Sequence, residues 1–223
     1  MGVIVGVGGG SYAFGEVTHI LRQIVRLSGK NAPRLLFLPT AGHDEDDGDD
    51  PIRDIFRACG CEVDTLKLSK EPLSEDALRE RILGADVVYA GGGDLKFLMD
   101  TWTATGADRL LREAFSRGTV LSGYSSGAMC WFDLGWDDCG PGHSFIFVKG
   151  MGLLPGCCCP HFDSDVWHTF TRIVPESGTD GVAIDSRAAF VWRDGVYKTI
   201  SGPDGETVWT MRKDEQWRLK PLA

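Results

Sequence analysis

Hydrophobic positions along this chain fall into two alternating rhythms. Short continuous apolar runs (Val3 to Val7, Leu35 to Leu38, Asp86 to Ala90, Thr119 to Ser122) have the length of strands buried on both faces. Between them apolar residues recur at helical spacing, most clearly at Val17, Ile20, Leu21, Ile24 and Leu27, where Ser28-Gly29 ends the pattern. Asp50-Pro51 reads as a helix start, with Asp as cap and Pro at the first helical position, and that helix ends at Cys59-Gly60. Cys61 to Leu68 reads as a strand, Ser74 caps a helix through Leu83, and two helical stretches lie near 95–101 and 106–117. Strands alternating with helices imply a mostly parallel sheet covered on both faces.

After residue 180 the rhythm changes. Ala188, Phe190 and Trp192 alternate as in a strand, Asp194-Gly195 is a hairpin signal and Pro203-Asp204-Gly205 marks another turn. The expectation is a three-layer α/β sandwich with C-terminal antiparallel strands that extend or cap the sheet. With no linker, repeat or low-complexity tract, residues 1–223 read as one domain.

Composition narrows the function more than the fold. The net charge of −9 argues against a nucleic acid or an anionic membrane surface as partner, since both require a basic face. No apolar run approaches the roughly 20 residues of a membrane helix. Met1 to Gly6 lacks a basic leader and reads as the first strand, not a signal peptide. Seven cysteines without framework spacing point to free thiols in the cytoplasm.

The chemistry concentrates at Gly123-Tyr124-Ser125-Ser126-Gly127, which follows a strand and precedes a helical stretch. Gly-x-Ser-x-Gly in that setting is a nucleophile elbow: the tight turn lifts the Ser125 hydroxyl to the carboxyl edge of the sheet, above the next helix. The glycines remove side chains that would collide with strand and helix. The Ser126 N–H then faces the oxyanion that forms on attack. Ser126 is a competing nucleophile, and an ordinary phosphate-binding turn is the alternative. Among His19, His43, His143, His161 and His168, His161 follows Gly156-Cys157-Cys158-Cys159-Pro160, a possible strand ending at the same edge. His143 and His168 remain open at this point, and His19 reads as helix surface.

Three segments together carry a resemblance. Gly123-Tyr124-Ser125-Ser126-Gly127-Ala128-Met129-Cys130-Trp131-Phe132, Cys159-Pro160-His161-Phe162-Asp163 and Ala90-Gly91-Gly92-Gly93-Asp94 resemble, in order and spacing, segments of the peptidase E (aspartyl dipeptidase) family. The resemblance spans roughly residues 1–200. It implies a fold similar to class I glutamine amidotransferases, with serine in place of the cysteine nucleophile. It also implies removal of an N-terminal Asp from dipeptides without a metal or other cofactor, and a homodimer or larger assembly. The roles it implies are Ser125 as nucleophile, His161 as general base, and a Gly92 N–H joining that of Ser126 in the oxyanion hole. Asp185, in Gly-Val-Ala-Ile-Asp-Ser, takes the place of the acid that orients the histidine, with the Asp137-Asp138 pair as rival. Relatives often carry Glu at that place, so an Asp needs its backbone about 1.5 Å nearer, one C–C bond. Asp138 is then a candidate for binding the substrate's amino group.

The chain departs from the family pattern at Ser126, where Ala is usual, and at Thr171-Arg172-Ile173, which keeps part of an arginine segment that reads the substrate Asp. Arg172 is therefore a candidate for that side chain, and Arg187 another. Asp44 to Asp50 packs six acids into seven residues, read as a solvated loop with Asp50 as cap, or as a gate against longer peptides. Cys157-Cys158-Cys159 reads as buried thiols, since three successive residues cannot face one ion. Trp131 and Phe132 read as core packing of the helix after the elbow. Two rival functions stand beside the dipeptidase: a hydrolase resembling cyanophycin-degrading enzymes, and a non-catalytic amidotransferase-like binding module.

Overall fold

The structure, a computed structural model, describes residues 2–45, 51–212 and 215–218. The first half follows the sequence rhythm. β1 (Ile4–Val7), α1 (Thr18–Leu27), β2 (Arg34–Leu38), α2 (Pro51–Ala58), β3 (Glu62–Thr65), α3 (Glu75–Gly84), β4 (Val87–Ala90), α4 (Leu95–Thr105), α5 (Ala107–Ser116) and β5 (Val120–Tyr124) alternate as expected. Ser74 caps α3 by accepting from the Ala77 N–H, and Asp94 caps α4 by accepting from Phe97. The expected Asp50 cap of α2 lies outside the described residues.

The second half runs α6 (Ser126–Met129), β6 (Phe132–Asp137), β7 (Ile146–Lys149), β8 (Leu154–Cys159), α7 (Phe170–Ser177), β9 (Gly181–Ile184), β10 (Ala189–Arg193), β11 (Val196–Ile200), β12 (Val208–Arg212) and β13 (Glu215–Arg218). A seven-stranded central sheet has the order β11-β10-β1-β5-β4-β2-β3, parallel from β1 to β3 and antiparallel at β10 and β11. A second, six-stranded sheet has the order β13-β12-β9-β8-β6-β7. The C-terminal strands therefore divide: the β10–β11 hairpin extends the central sheet, as expected, whereas β12 and β13 belong to the second one.

Side-chain alternation explains the layers. Val3, Val5 and Val7 pack with Leu35, Phe37, Val87 and Tyr89 under α1 and α2. Ile4, Leu36, Leu38, Val88 and Leu121 face α3, α4 and α5 on the other side, in a core shared with Cys158, Val182, Ile184 and Val208 of the second sheet. The opposite face of that sheet buries Cys157, Cys159, Ala183 and Met211 against Phe170 and Val174 of α7. The three consecutive cysteines are thus buried, alternating strand residues, and all seven thiols are free.

Two expectations change. The helix after the elbow is one four-residue turn, and buried Trp131 and Phe132 lead into β6 instead of packing a longer helix. The carbonyl of Trp131 accepts from Leu153 and Leu154, so pairing with the chain at the start of β8 replaces the helical ladder there. Asp44 is not solvated: it is buried, and its carboxylate accepts from the Ser69 N–H and hydroxyl, both at 2.6 Å. Residues 46–50 of the acidic run lie outside the described residues. Among the described residues no helix is long and apolar enough to cross a membrane.

Candidate active site

β5 lies between β1 and β4, with Gly123 level with Gly6 on one side and Ala90 on the other. Its end is therefore flanked by two glycine-rich loops, residues 8–10 and 91–93, at the carboxyl edge where open α/β sheets place their sites. There the chain reverses. Ser125 has φ 54° and ψ −117°, a backbone region that non-glycine residues rarely occupy, and its N–H donates to the Val7 carbonyl at 3.0 Å. Gly127 makes the reversal possible: a Cβ on it would stand 2.2 Å from the Ala90 carbonyl oxygen.

His161 comes from the second sheet, just past the end of β8. Its own N–H donates to the Gly8 carbonyl at 2.9 Å, which fastens that loop to the central sheet. The ring lies edge-on to Tyr124, with centroids 6.0 Å apart, and next to Trp167 at 5.2 Å. A Cβ on Gly9 would sit 2.5 Å from Nδ1, so only glycine lets the loop pass behind the imidazole. Nε2 then stands 2.9 Å from the Ser125 hydroxyl oxygen. Burial pulls the imidazole pKa below its usual 6.5, partly offset by the charges of Asp163 and Asp138. A histidine held neutral in contact with a serine hydroxyl is equipped to take its proton.

The loop after β4 closes the other side. A Cβ on Gly92 would meet Tyr124 Cδ1 at 2.8 Å and Ser125 Cβ at 3.1 Å, so its backbone passes directly against Ser125. Neither the Gly92 nor the Ser126 N–H has a backbone acceptor among the described residues, which leaves both for an oxygen developing beside Ser125. Beneath them lies Asp137, buried, with Oδ2 accepting from the Leu95 N–H at 3.1 Å and within 3.2 Å of the Ser126 hydroxyl. Burial pushes its carboxyl up to about 7, and neighbouring Asp138 pushes the same way.

Asp185 lies directly after β9, at a strand end as its place in the sequence implies. Its buried carboxylate accepts from the Thr207 N–H at 3.0 Å and from Trp209 Nε1 at 3.1 and 3.2 Å, holding β12 to the end of β9. The acids whose charges bear on His161 are Asp163 and, from the rival pair, Asp138. Asp163 also accepts from the Ser186 N–H at 2.6 Å, tying the histidine loop to the turn after β9. Its signal was its place two residues after the histidine in the same short segment.

Arg172 is exposed on α7. Arg187 has φ 63° and pairs with Asp204 at 2.9 Å and with Glu206. Its N–H supports the site indirectly by donating to the Gly9 carbonyl at 2.9 Å. His19 and His143 are exposed, the His43 ring is tilted against Phe97, and His168 stacks on Phe162 with centroids 4.6 Å apart. Among the described residues no group of three or more His, Cys, Asp or Glu side chains is arranged to hold a metal ion.

Comparison with known proteins points the same way. A sequence model of peptidase family S51 matches residues 4–200. The chain is 33% identical over 208 residues to YgaJ, an uncharacterised peptidase of Bacillus subtilis (strain 168), covering 91% of this chain and 88% of that protein. Its fold matches the crystal structure of a peptidase from an acI-B1 Actinobacterium with a TM-score of 0.76 at 22% identity, covering 100% of this chain and 96% of that one. A candidate peptidase E protein from Listeria monocytogenes EGD-e matches with a TM-score of 0.69 at 18% identity, over 90% of this chain and 98% of the other. At those identities the two structures speak for the fold alone.

Proposed function

This chain belongs to peptidase family S51, and from that premise we propose that it hydrolyses dipeptides, preferring an N-terminal Asp, with Ser125 as nucleophile and His161 as general base. The observation that carries the reading is the 2.9 Å contact between His161 Nε2 and Ser125 Oγ at a strained turn. In the proposed reaction the hydroxyl oxygen attacks the peptide carbonyl while His161 takes its proton. The Gly92 and Ser126 N–H groups hold the oxyanion. His161 returns the proton to the leaving amine, and water, deprotonated by the same imidazole, then cleaves the acyl-enzyme.

Preference for a free N-terminus is supported by Asp138, whose negative charge acts on His161 and would likewise attract a substrate ammonium. Preference for Asp rests on the family resemblance. The free thiols suit a reducing compartment, and we place the protein in the cytoplasm. On the same resemblance we expect a homo-oligomer, which sedimentation would read directly.

A panel of α-Asp-X, β-Asp-X, Ala-X and N-blocked peptides, run on wild type and Ser125→Ala, tests the proposal. Hydrolysis of α-Asp-X that disappears in Ser125→Ala with the fold intact is the expected result. Faster cleavage of β-Asp-X would replace the substrate class, and fluorophosphonate failing to label Ser125 would overturn the serine mechanism.

A further inference from the structure

The two proposed oxyanion donors sit on different loops, Gly92 after β4 and Ser126 after β5. Both N–H groups must reach the same oxygen, at roughly 2.7–3.1 Å each, yet a run of three glycines has no side chains to hold it in place. The loop is anchored at both ends: the Gly91 N–H donates to the Leu38 carbonyl at 2.9 Å, and the Asp94 N–H to the Ala41 carbonyl at 2.8 Å. Between these anchors, among the described residues, the Ser126 side chain holds it. The buried Ser126 hydroxyl lies 2.5 Å from the Gly93 carbonyl oxygen and 3.2 Å from Asp137 Oδ2, and that same Oδ2 accepts from the Leu95 N–H.

We propose that Ser126 and Asp137 are positioning residues: the Ser126 hydroxyl, backed by Asp137, ties the Gly93 carbonyl to the nucleophile turn and so sets the spacing between the Gly92 and Ser126 N–H groups. The same residue thus supplies an oxyanion donor from its backbone and fixes the other donor through its side chain. Alanine at 126 removes the hydroxyl while leaving its N–H in place. Asparagine at 137, with its amide oxygen in the Oδ2 place, keeps the acceptor that faces both the Leu95 N–H and the Ser126 hydroxyl and removes only the charge, as the neutral carboxyl that burial favours does. The inference rests on the reading of Ser125 as a peptidase nucleophile.

The test compares wild type, Ser126→Ala, Asp137→Asn and Asp137→Ala in dipeptide kinetics, fluorophosphonate labelling of Ser125, and amide hydrogen exchange. Ser126→Ala is expected to lower kcat at least about tenfold, short of the roughly 10²–10³ that loss of an oxyanion donor itself costs, with KM within about twofold. Exchange at Gly91 and Asp94, whose N–H groups anchor the loop, should quicken while the amides of β4 stay protected. Asp137→Asn should keep most of the activity that Asp137→Ala loses. An unchanged kcat in Ser126→Ala, a loss expressed in KM alone, or exchange that quickens throughout β4 and β5 would overturn the inference. Wild-type protein that neither labels nor hydrolyses would overturn the peptidase reading instead, and loop exchange in Ser126→Ala would still decide whether the tie exists.

Discussion

Gly123 and Gly127 press together across the nucleophile turn: a Cβ on Gly123 would lie 2.1 Å from the Gly127 carbonyl oxygen and 2.9 Å from that of Ala90. Both obstacles are backbone atoms, so no rotamer change relieves them, and the turn must open instead. Gly123→Ala should therefore cost about 1–3 kcal/mol of stability and abolish fluorophosphonate labelling of Ser125 even in the folded fraction. Urea unfolding read alongside labelling checks this; a variant that labels at the wild-type rate would show that the turn tolerates widening.

The pH dependence follows from the burial of His161. Its charged form is disfavoured, so the neutral base persists to pH values below its usual 6.5. kcat/KM should rise with pH through a midpoint under 6.5. Asp163 pulls in the opposite direction by stabilising the imidazolium. Asp163→Asn removes that charge and keeps an acceptor for the Ser186 N–H, so the acidic limb should move to lower pH. The shift should be small, because Asp163 is exposed and water screens it. A limb that moves upward would contradict the sign.

Substitution of Asp185 tests whether this acid holds the fold or orients His161. Asp185→Ala strips the acceptor from the Thr207 N–H and from Trp209 Nε1, and leaving buried donors unpaired costs about 1–3 kcal/mol each. Stability should fall by that order, while the acidic limb of kcat/KM stays in place. A folded Asp185→Asn variant as inactive as Ser125→Ala would restore Asp185 to the orienting role.

What the chain discloses before folding depends on the range of the interaction. The β1–α1 pattern and the elbow were legible because both are local: apolar spacing decides one, and glycines two residues either side of Ser125 decide the other. The division into two sheets was not. An apolar run such as Cys157 to Cys159 says that both faces are buried, not which sheet receives it. The bond from Trp209 to Asp185 was hidden for the same reason, since Trp209 lies 24 residues further on. Asp44 was hidden inside an acidic run whose composition says solvent, although a turn at φ 54° carries its carboxylate inward to Ser69.

Gly92 offers a test of the oxyanion hole that leaves the fold mostly alone. Its φ is not left-handed, so an alanine there meets a steric obstacle and not a backbone one. The obstacles are Tyr124 Cδ1 and Ser125 Cβ, the two residues that place the nucleophile, and the Tyr124 ring also rests against His161. Gly92→Ala should therefore push the loop away from the reacting carbonyl while costing about 1 kcal/mol of stability. With one donor withdrawn, kcat should fall roughly 10²–10³-fold, and KM should change far less, because ground-state binding does not use that donor. Gly91→Ala is the control: its Cβ would meet nothing nearer than 3.5 Å, so the same added methyl one residue earlier should be tolerated. Equal losses in the two variants would mean that loop crowding, not the Gly92 donor, limits the reaction.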